Sequence, residues 1–223
     1  MTRIAYLDFF KPTLLFSLIA LVSLLRAAPA PAAGSETLTV AGGCFWCVES
    51  DFESVPGVTG AVSGFTGGTI ANPTYDQVTK GGTGHYEAVQ ITFDPARVSR
   101  ETLLSMFFRS VDPTDAGGQF CDRGDSYRTA IFVSNTAEKT LAQQAKTNAQ
   151  NALGQQIVTP ILQKGAFYPA EAYHQDYYKG KKLVLTRFGP KRQHSAYKAY
   201  RKACGRDDRV KQLWGSDAPF AGS

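Results

Sequence analysis

The sequence predicts an α+β fold, a two-layer α/β sandwich with a ferredoxin-like core, elaborated loops and a C-terminal tail, on three observations. Branched or alternating segments interleave with amphipathic ones in the order strand, helix, strand, strand, helix, strand, helix, strand. Glycine-rich connections separate several of them. The 223 residues are 43% hydrophobic and 12% aromatic, enough for one complete core and too apolar for a disordered chain.

The elements follow in order. Residues 37–40 are apolar and branched and run into Ala41-Gly42-Gly43, a buried strand entering a tight turn. Helical spacing begins near Cys44, with Val48, Phe52 and Val55 on an inner face, and ends before Pro56-Gly57. Residues 58–65 form a second strand. Residues 67–84, containing Asn72-Pro73, form a long loop of the kind that carries function in compact domains. Residues 86–93 alternate, which puts Glu87 in phase with Val89, Ile91 and Phe93. Ser99 caps a helix reaching Phe108, with Leu103, Met106 and Phe107 on one face. A glycine-rich loop spans 112–126 and a strand 129–133. Asn135 or Thr136 opens a helix to about Leu153, and 157–162 return as a strand.

The first 32 residues stand apart from this body. Arg3 and Lys11 precede an apolar run over 14–25, and small residues follow, with Ala30-Pro31-Ala32 as the expected exit. That is the pattern of an export signal, so the catalytic domain is expected over 33–223, in an exported and periplasmic protein. The run is short for a membrane span of ~20 residues. Arg26 after it keeps an uncleaved anchor as the rival reading, in which the protein would be membrane-anchored.

Without that segment the net charge falls from +5 to +3, and the remainder is uneven. Residues 33–178 carry nine basic and fifteen acidic side chains, whereas 179–211 carry twelve basic and two acidic. The basic extension, 179–223, interleaves Tyr197, Tyr200 and Trp214 and superficially matches a nucleic-acid strip. A solvated surface helix is the expectation, with no nucleic-acid partner.

Cys44, Cys47, Cys121 and Cys204 all fall after residue 32. A domain of this size folds without staples, so the cysteines are expected to do chemistry. Gly42-Gly43-Cys44-Phe45-Trp46-Cys47 places Cys44 in the first turn of a helix, where free N–H groups and the helix dipole favour a thiolate. Glu87, inward on an apolar strand, is expected to stay protonated, since burial disfavours its charge. C-x-x-C also admits a thioredoxin-like pair, or half of a zinc site completed by Cys121 and Cys204, which are not closely spaced. Haem attachment is excluded because Val48 stands where histidine is needed.

Five blocks then occur in one order. Gly43-Cys44-Phe45-Trp46 is followed by Asn72-Pro73-Thr74-Tyr75 and by Gly84-His85-Tyr86-Glu87-Ala88-Val89. Asp122 with Tyr127-Arg128-Thr129-Ala130-Ile131 comes next, and Ala172-Tyr173-His174-Gln175-Asp176-Tyr177 last. Across residues 37–178 the chain resembles the A-type methionine-sulfoxide reductases. The resemblance implies reduction of the S epimer of methionine sulfoxide, free or in proteins, with no metal or organic cofactor. It implies Cys44 as the group attacking sulfur, and Glu87 as the acid protonating oxygen with help from Tyr75 and Tyr127. Phe45 and Trp46 would wall the methyl group's slot, and Asp122 would help bind substrate.

A sulfenic acid left on Cys44 needs a second thiol. The commonest pattern of the family has glycine where Cys47 stands, with the resolving cysteine in a glycine-rich tail. Here Cys204 and Cys47 are level candidates and Cys121 is third. A thioredoxin-like donor and a monomeric enzyme are expected, acting on oxidised proteins and peptides. The competing function is an exported thiol–disulfide oxidoreductase using Cys44 and Cys47. His85 and His174 are expected to pack and hydrogen-bond, and His194 to be exposed.

Overall fold

The computed structural model describes residues 34–222, and the expected export segment lies outside them. Ten strands are described: β1 Glu36–Gly42, β2 Val58–Thr66, β3 Tyr86–Phe93, β4 Gly118–Gln119, β5 Asp122–Arg123, β6 Thr129–Val133, β7 Ile161–Gln163, β8 Tyr168–Pro169, β9 Leu183–Thr186 and β10 Gly189–Arg192. The α-helices are α1 Phe45–Glu53, α2 Tyr75–Thr79, α3 Arg100–Ser110, α4 Thr136–Leu153, α5 Gln193–Ala203 and α6 Arg206–Trp214.

Six strands form one sheet in the order β7-β6-β1-β3-β2-β8. Its centre, β6-β1-β3-β2, has the split ferredoxin-like arrangement, antiparallel throughout, and β7 adds a parallel edge beside β6. Alternation divides the faces. Val89, Ile91 and Phe93 enter the main core with Phe45, Val48 and Phe52 of α1 and Leu103, Leu104 and Phe107 of α3. Tyr86 and Ala88 join a smaller cluster with Ala41, Ala130 and Phe132 on the other face. Glu87 lies in phase with the main-core set and is 1% exposed.

Helix starts follow their caps. Ser99 accepts a hydrogen bond from Thr102 N–H at 3.1 Å, and Asn135 accepts one from Glu138 N–H at 2.9 Å. The loop 67–84 contains α2, which the sequence reading lacked. Its signal is a capping box, with Thr74 Oγ1 accepting from Gln77 N–H and Gln77 Oε1 accepting from Thr74 N–H. The strand expected over 157–162 begins only at Ile161, because Pro160 has no N–H for the ladder, although its carbonyl accepts from Ile131 N–H.

The basic extension is not the expected solvated helix. The β9–β10 hairpin leads into α5, and Gly205, at φ +68°, turns the chain into α6. Tyr197, Arg201, Arg206, Val210 and Trp214 are buried. His194 is half-buried, with Nδ1 3.1 Å from the Gly180 carbonyl. These side chains pack because the extension carries partners for an acid buried elsewhere in the fold.

Candidate active site

β1 delivers the chain into α1 through a turn that only glycine fits at position 43. Gly43 has φ +80°, and a Cβ there would lie 2.6 Å from Cβ of the buried Gln119. Gln119 is held in turn by Asp112 N–H and the Asp112 and Gly118 carbonyls, each at 2.8 Å. Cys44 therefore occupies the N-cap of α1 and makes no side-chain capping bond. The cap comes from β3 instead: Phe45 N–H donates to Glu87 Oε2 at 3.0 Å. This bond fixes the carboxyl beside the first helical turn.

Glu87 Oε1 has no hydrogen-bond partner. Burial pushes the Glu87 pKa up to about 8 and outweighs the bond from Phe45, while Asp122 and Cys47 raise it further. The carboxyl is thus mostly protonated at neutral pH. Tyr127 approaches it, and Tyr75 approaches Tyr127. Burial raises both phenols, so they remain hydrogen-bond donors.

The sulfurs depart from expectation. The neighbouring Cys47 sulfur and then burial raise Cys44 well above a free thiol. Cys47 is lowered, first by the neighbouring Cys44 sulfur and then, against its burial, by the positive Arg206 and Arg201. The two sulfurs titrate as one pair, and the nearby guanidiniums favour charge on Cys47 over Cys44. The helix entry therefore does not by itself lower the Cys44 thiol, contrary to expectation.

Arg201 and Arg206 come from α5 and α6. Arg201 Nη1 donates to Asp51 Oδ1 at 2.6 Å and to the Tyr197 hydroxyl at 2.9 Å, and Nε donates to Asp207 at 2.9 Å. Arg206 Nη1 donates to the Gly42 carbonyl at 3.1 Å, Nη2 lies 3.8 Å from Asp51, and the guanidinium sits over the Phe120 ring. Arg206 is 2% exposed, and neither Nε nor Nη2 makes a hydrogen bond. Asp51 is shared by both guanidiniums, Asp207 also pairs with Arg201, and the two cations stand beside Cys47.

One cavity of about 420 Å³ is lined by all ten sequence-predicted residues: Cys44, Phe45, Trp46, Cys47, Tyr75, Glu87, Cys121, Asp122, Tyr127 and Cys204. Trp46 stacks on Tyr177 at 3.7 Å, and Phe45 is buried against Phe65, Tyr75 and His174. Asp122 stays partly exposed, and its burial raises its carboxyl although Arg206 and Arg187 oppose this. Cys121 and Cys204 are joined in a disulfide, which removes them as thiolate ligands of a metal in this form. Sequence reasoning missed Tyr177, Arg187, Tyr200, Arg201 and Arg206. Asp51, on the buried side of α1 four residues after Cys47, was the available signal for the arginines, since an inward acid needs a partner.

The histidines are not on the cavity wall. His85 Nδ1 accepts from Gly68 N–H at 3.2 Å, so Nε2 carries the proton it shares with the Ile70 carbonyl, tying down the loop. His174 is sandwiched among aromatic rings, with Tyr75 at 4.4 Å, and neither ring nitrogen is hydrogen-bonded. Burial lowers it to about 4, so it is neutral.

A paired-thiol centre next to a protonated acid, on this sheet, defines an oxidoreductase working through sulfur. A family model described as peptide methionine sulfoxide reductase matches residues 36–216, and the chain belongs to that family. It is 50% identical over 198 residues to peptide methionine sulfoxide reductase MsrA 2 of Caulobacter vibrioides, covering 88% of this chain and 94% of that one. It is 48% identical to MsrA 2 of Rhizobium meliloti, covering 91% and 94%. Among solved structures, methionine sulfoxide reductase A of Corynebacterium diphtheriae matches with TM-score 0.61 and 33% identity, over 70% of this chain and 77% of that one. Reduced Mxr1 of Saccharomyces cerevisiae matches with TM-score 0.63 and 29% identity, over 67% and 87%. The protein is a peptide-methionine (S)-S-oxide reductase that reduces methionine sulfoxide by thiol chemistry, not a thioredoxin-type oxidoreductase.

Proposed function

We propose that Cys44 attacks the sulfoxide sulfur while Cys47 takes its proton and Glu87 gives a proton to the oxygen. The observation that carries this is the Phe45–Glu87 bond, which holds a buried, protonated carboxyl with one free oxygen at the helix entry that bears Cys44. Sulfoxide oxygen is a poor leaving group until protonated, so the acid must sit within reach of the attacked sulfur. The bond from sulfur to oxygen in the substrate breaks, methionine leaves, and Cys44 becomes a sulfenic acid. Tyr75 and Tyr127 steady the oxygen as it gains charge. Phe45 and Trp46 receive the methyl group, and Asp122 orders the mouth.

Cys47 then attacks the sulfenic sulfur. A disulfide forms, and the hydroxyl leaves as water with the proton that Cys47 had taken. Cys47 is preferred over Cys204 as resolver because it lies one helical turn from Cys44, with Cys47 N–H donating to the Cys44 carbonyl at 3.1 Å, whereas Cys204 is bonded to Cys121. The substrates are oxidised proteins and peptides, and a thioredoxin-like dithiol restores the thiols. Wild-type protein with dithiothreitol should reduce only the S epimer of a methionine-sulfoxide peptide, and Cys44→Ser should lower turnover at least 10³-fold, on the order expected for losing a nucleophile. Full turnover by that variant sinks the assignment.

We also propose export, supported by the charged, apolar and small-residue pattern of 1–32. No helix of the described residues is long and apolar enough to cross a membrane. Amino-terminal sequencing of the periplasmic fraction should start near Ala33. Intact chain in the cytosol would overturn export, and intact chain in the membrane would favour the anchor.

A further inference from the structure

Two leucines of the C-terminal hairpin stand in solvent beside the cavity. Leu183 is 68% exposed and Leu185 86%, both on β9. Alternation puts them on one face: Val184, between them, turns the other way and packs against the cluster of Cys47, Tyr177 and Tyr197. Antiparallel pairing sets Arg192 opposite Leu183 and Pro190 opposite Leu185, and both partners are exposed as well. Neighbouring apolar side chains left so open mark a binding face more often than a bare surface.

The hairpin is continuous with the site. Leu185, Thr186 and Arg187 line the cavity that holds Cys44 and Glu87. A methionine side chain that enters this cavity leaves its own backbone outside, so the residues before and after it must cross the rim. The turn of the hairpin is braced there, with Phe188 edge-on to Tyr200 and the Arg187 guanidinium over both rings. The rim carries one sign of charge. Residues 179–192 hold six basic side chains and no acidic one. Among the described residues only Lys179 of these six forms ion pairs, with Glu53 and Asp176.

We propose that the β9–β10 hairpin is a recognition arm for the chain flanking an oxidised methionine, and that it selects extended segments bearing apolar and acidic residues. The inference rests on Cys44 and its cavity as the sulfoxide site and names the class of peptide that the site takes. An extended segment fits because β9 offers its leucines at alternate positions, the spacing at which a strand presents its own side chains. An apolar neighbour of the sulfoxide covers Leu183 and Leu185 and removes them from water. Carboxylates on the same segment meet Lys181, Lys182 and Arg187, which speeds encounter and disfavours basic segments.

Short peptides with a central S-sulfoxide test this, with dithiothreitol as reductant so that no donor protein competes for the face. With leucine and aspartate around the sulfoxide, kcat/KM should exceed that of a serine and lysine version by about tenfold, mainly through KM, as expected for one partly buried leucine and one exposed ion pair. Salt at about 0.5 M should remove the charge part of the preference and leave the apolar part. Leu183→Ser and Lys182→Glu should each shrink the preference about threefold, scaled to kcat/KM on free methionine sulfoxide, which has no flanking chain. Leu183 and Lys182 do not line the cavity, so a loss seen only on the peptide separates recognition from damage to the site. Equal kcat/KM for the two peptides overturns the arm, and so does a preference that survives both variants. A loss confined to turnover driven by a thioredoxin-type protein would make the face a donor site and also sink the proposal. Failure of the wild type on free methionine sulfoxide as well removes the reading of Cys44, and the arm with it.

Discussion

The cavity is built by two regions that handle charge in opposite ways. The sheet side, from β1, α1 and β3, excludes charge: Glu87 is 1% exposed, takes one backbone hydrogen bond and stays protonated. The C-terminal side supplies charge: Arg201 and Arg206 share the buried Asp51, and both guanidiniums act to lower Cys47. One region holds a proton ready for oxygen, and the other holds a sulfur ready to accept a proton. Here both lie beside the first turn of α1, and no single local environment raises an acid and lowers a thiol together.

The sharpest way to break this comparison is Glu87→Gln. Glutamine keeps the shape and the acceptor for Phe45 N–H but cannot transfer a proton, so kcat/KM should fall about 10²–10⁴-fold. The pH dependence follows from the same residue. Above about 8 the wild-type carboxyl ionises and kcat/KM should decline, a limb missing from the variant's residual rate. Stability gives an independent readout. The folded pKa of Glu87 lies above its ordinary 4.5, so its contribution is complete below 4.5 and is lost as pH rises to about 8. Across that window Glu87→Gln should gain stability relative to wild type, measured by urea midpoints. A constant difference would mean the acid is not held protonated.

These two regions were unequally legible. The sheet side obeys short-range rules: two glycines, a helix start at Cys44, and alternation that turns Glu87 inward with Val89 and Ile91. Each is visible within ten residues. The contribution of Arg201 depends on Asp51, 150 positions away, and a run of positive charge does not disclose which of its members is buried. The β4–β5 turn was lost for a related reason: its strands are two residues each, too short for any period. The helix α2 was readable from Thr74 and Gln77 but lay under the larger signal of the glycines around it.

Asp51→Ala tests the C-terminal side as a structural unit. It leaves two nearly buried guanidiniums without their carboxylate, so stability should drop by about 3–5 kcal/mol in urea unfolding. A change under ~1 kcal/mol would mean that α5 and α6 are held by apolar contacts and by the other arginine bonds, to Asp207, Asp112 and the Gly42 carbonyl.

Arg206→Met has the smallest expected effect and bears most directly on chemistry. Methionine retains the stem and its packing over Phe120, while the charge and the bond to the Gly42 carbonyl are lost. Arg201 remains beside Cys47, so ionisation there should move up without reverting fully. Iodoacetamide labelling of Cys47, followed by mass mapping, should reach half-rate at a pH higher by about 1, the low end for losing a close opposite charge. Arg206→Lys should restore part of that shift because it keeps the charge and loses the fork. If both variants label like wild type, the guanidinium is only a brace for the Gly42 turn. The lowering of Cys47 would then rest on the neighbouring Cys44 sulfur and on Arg201.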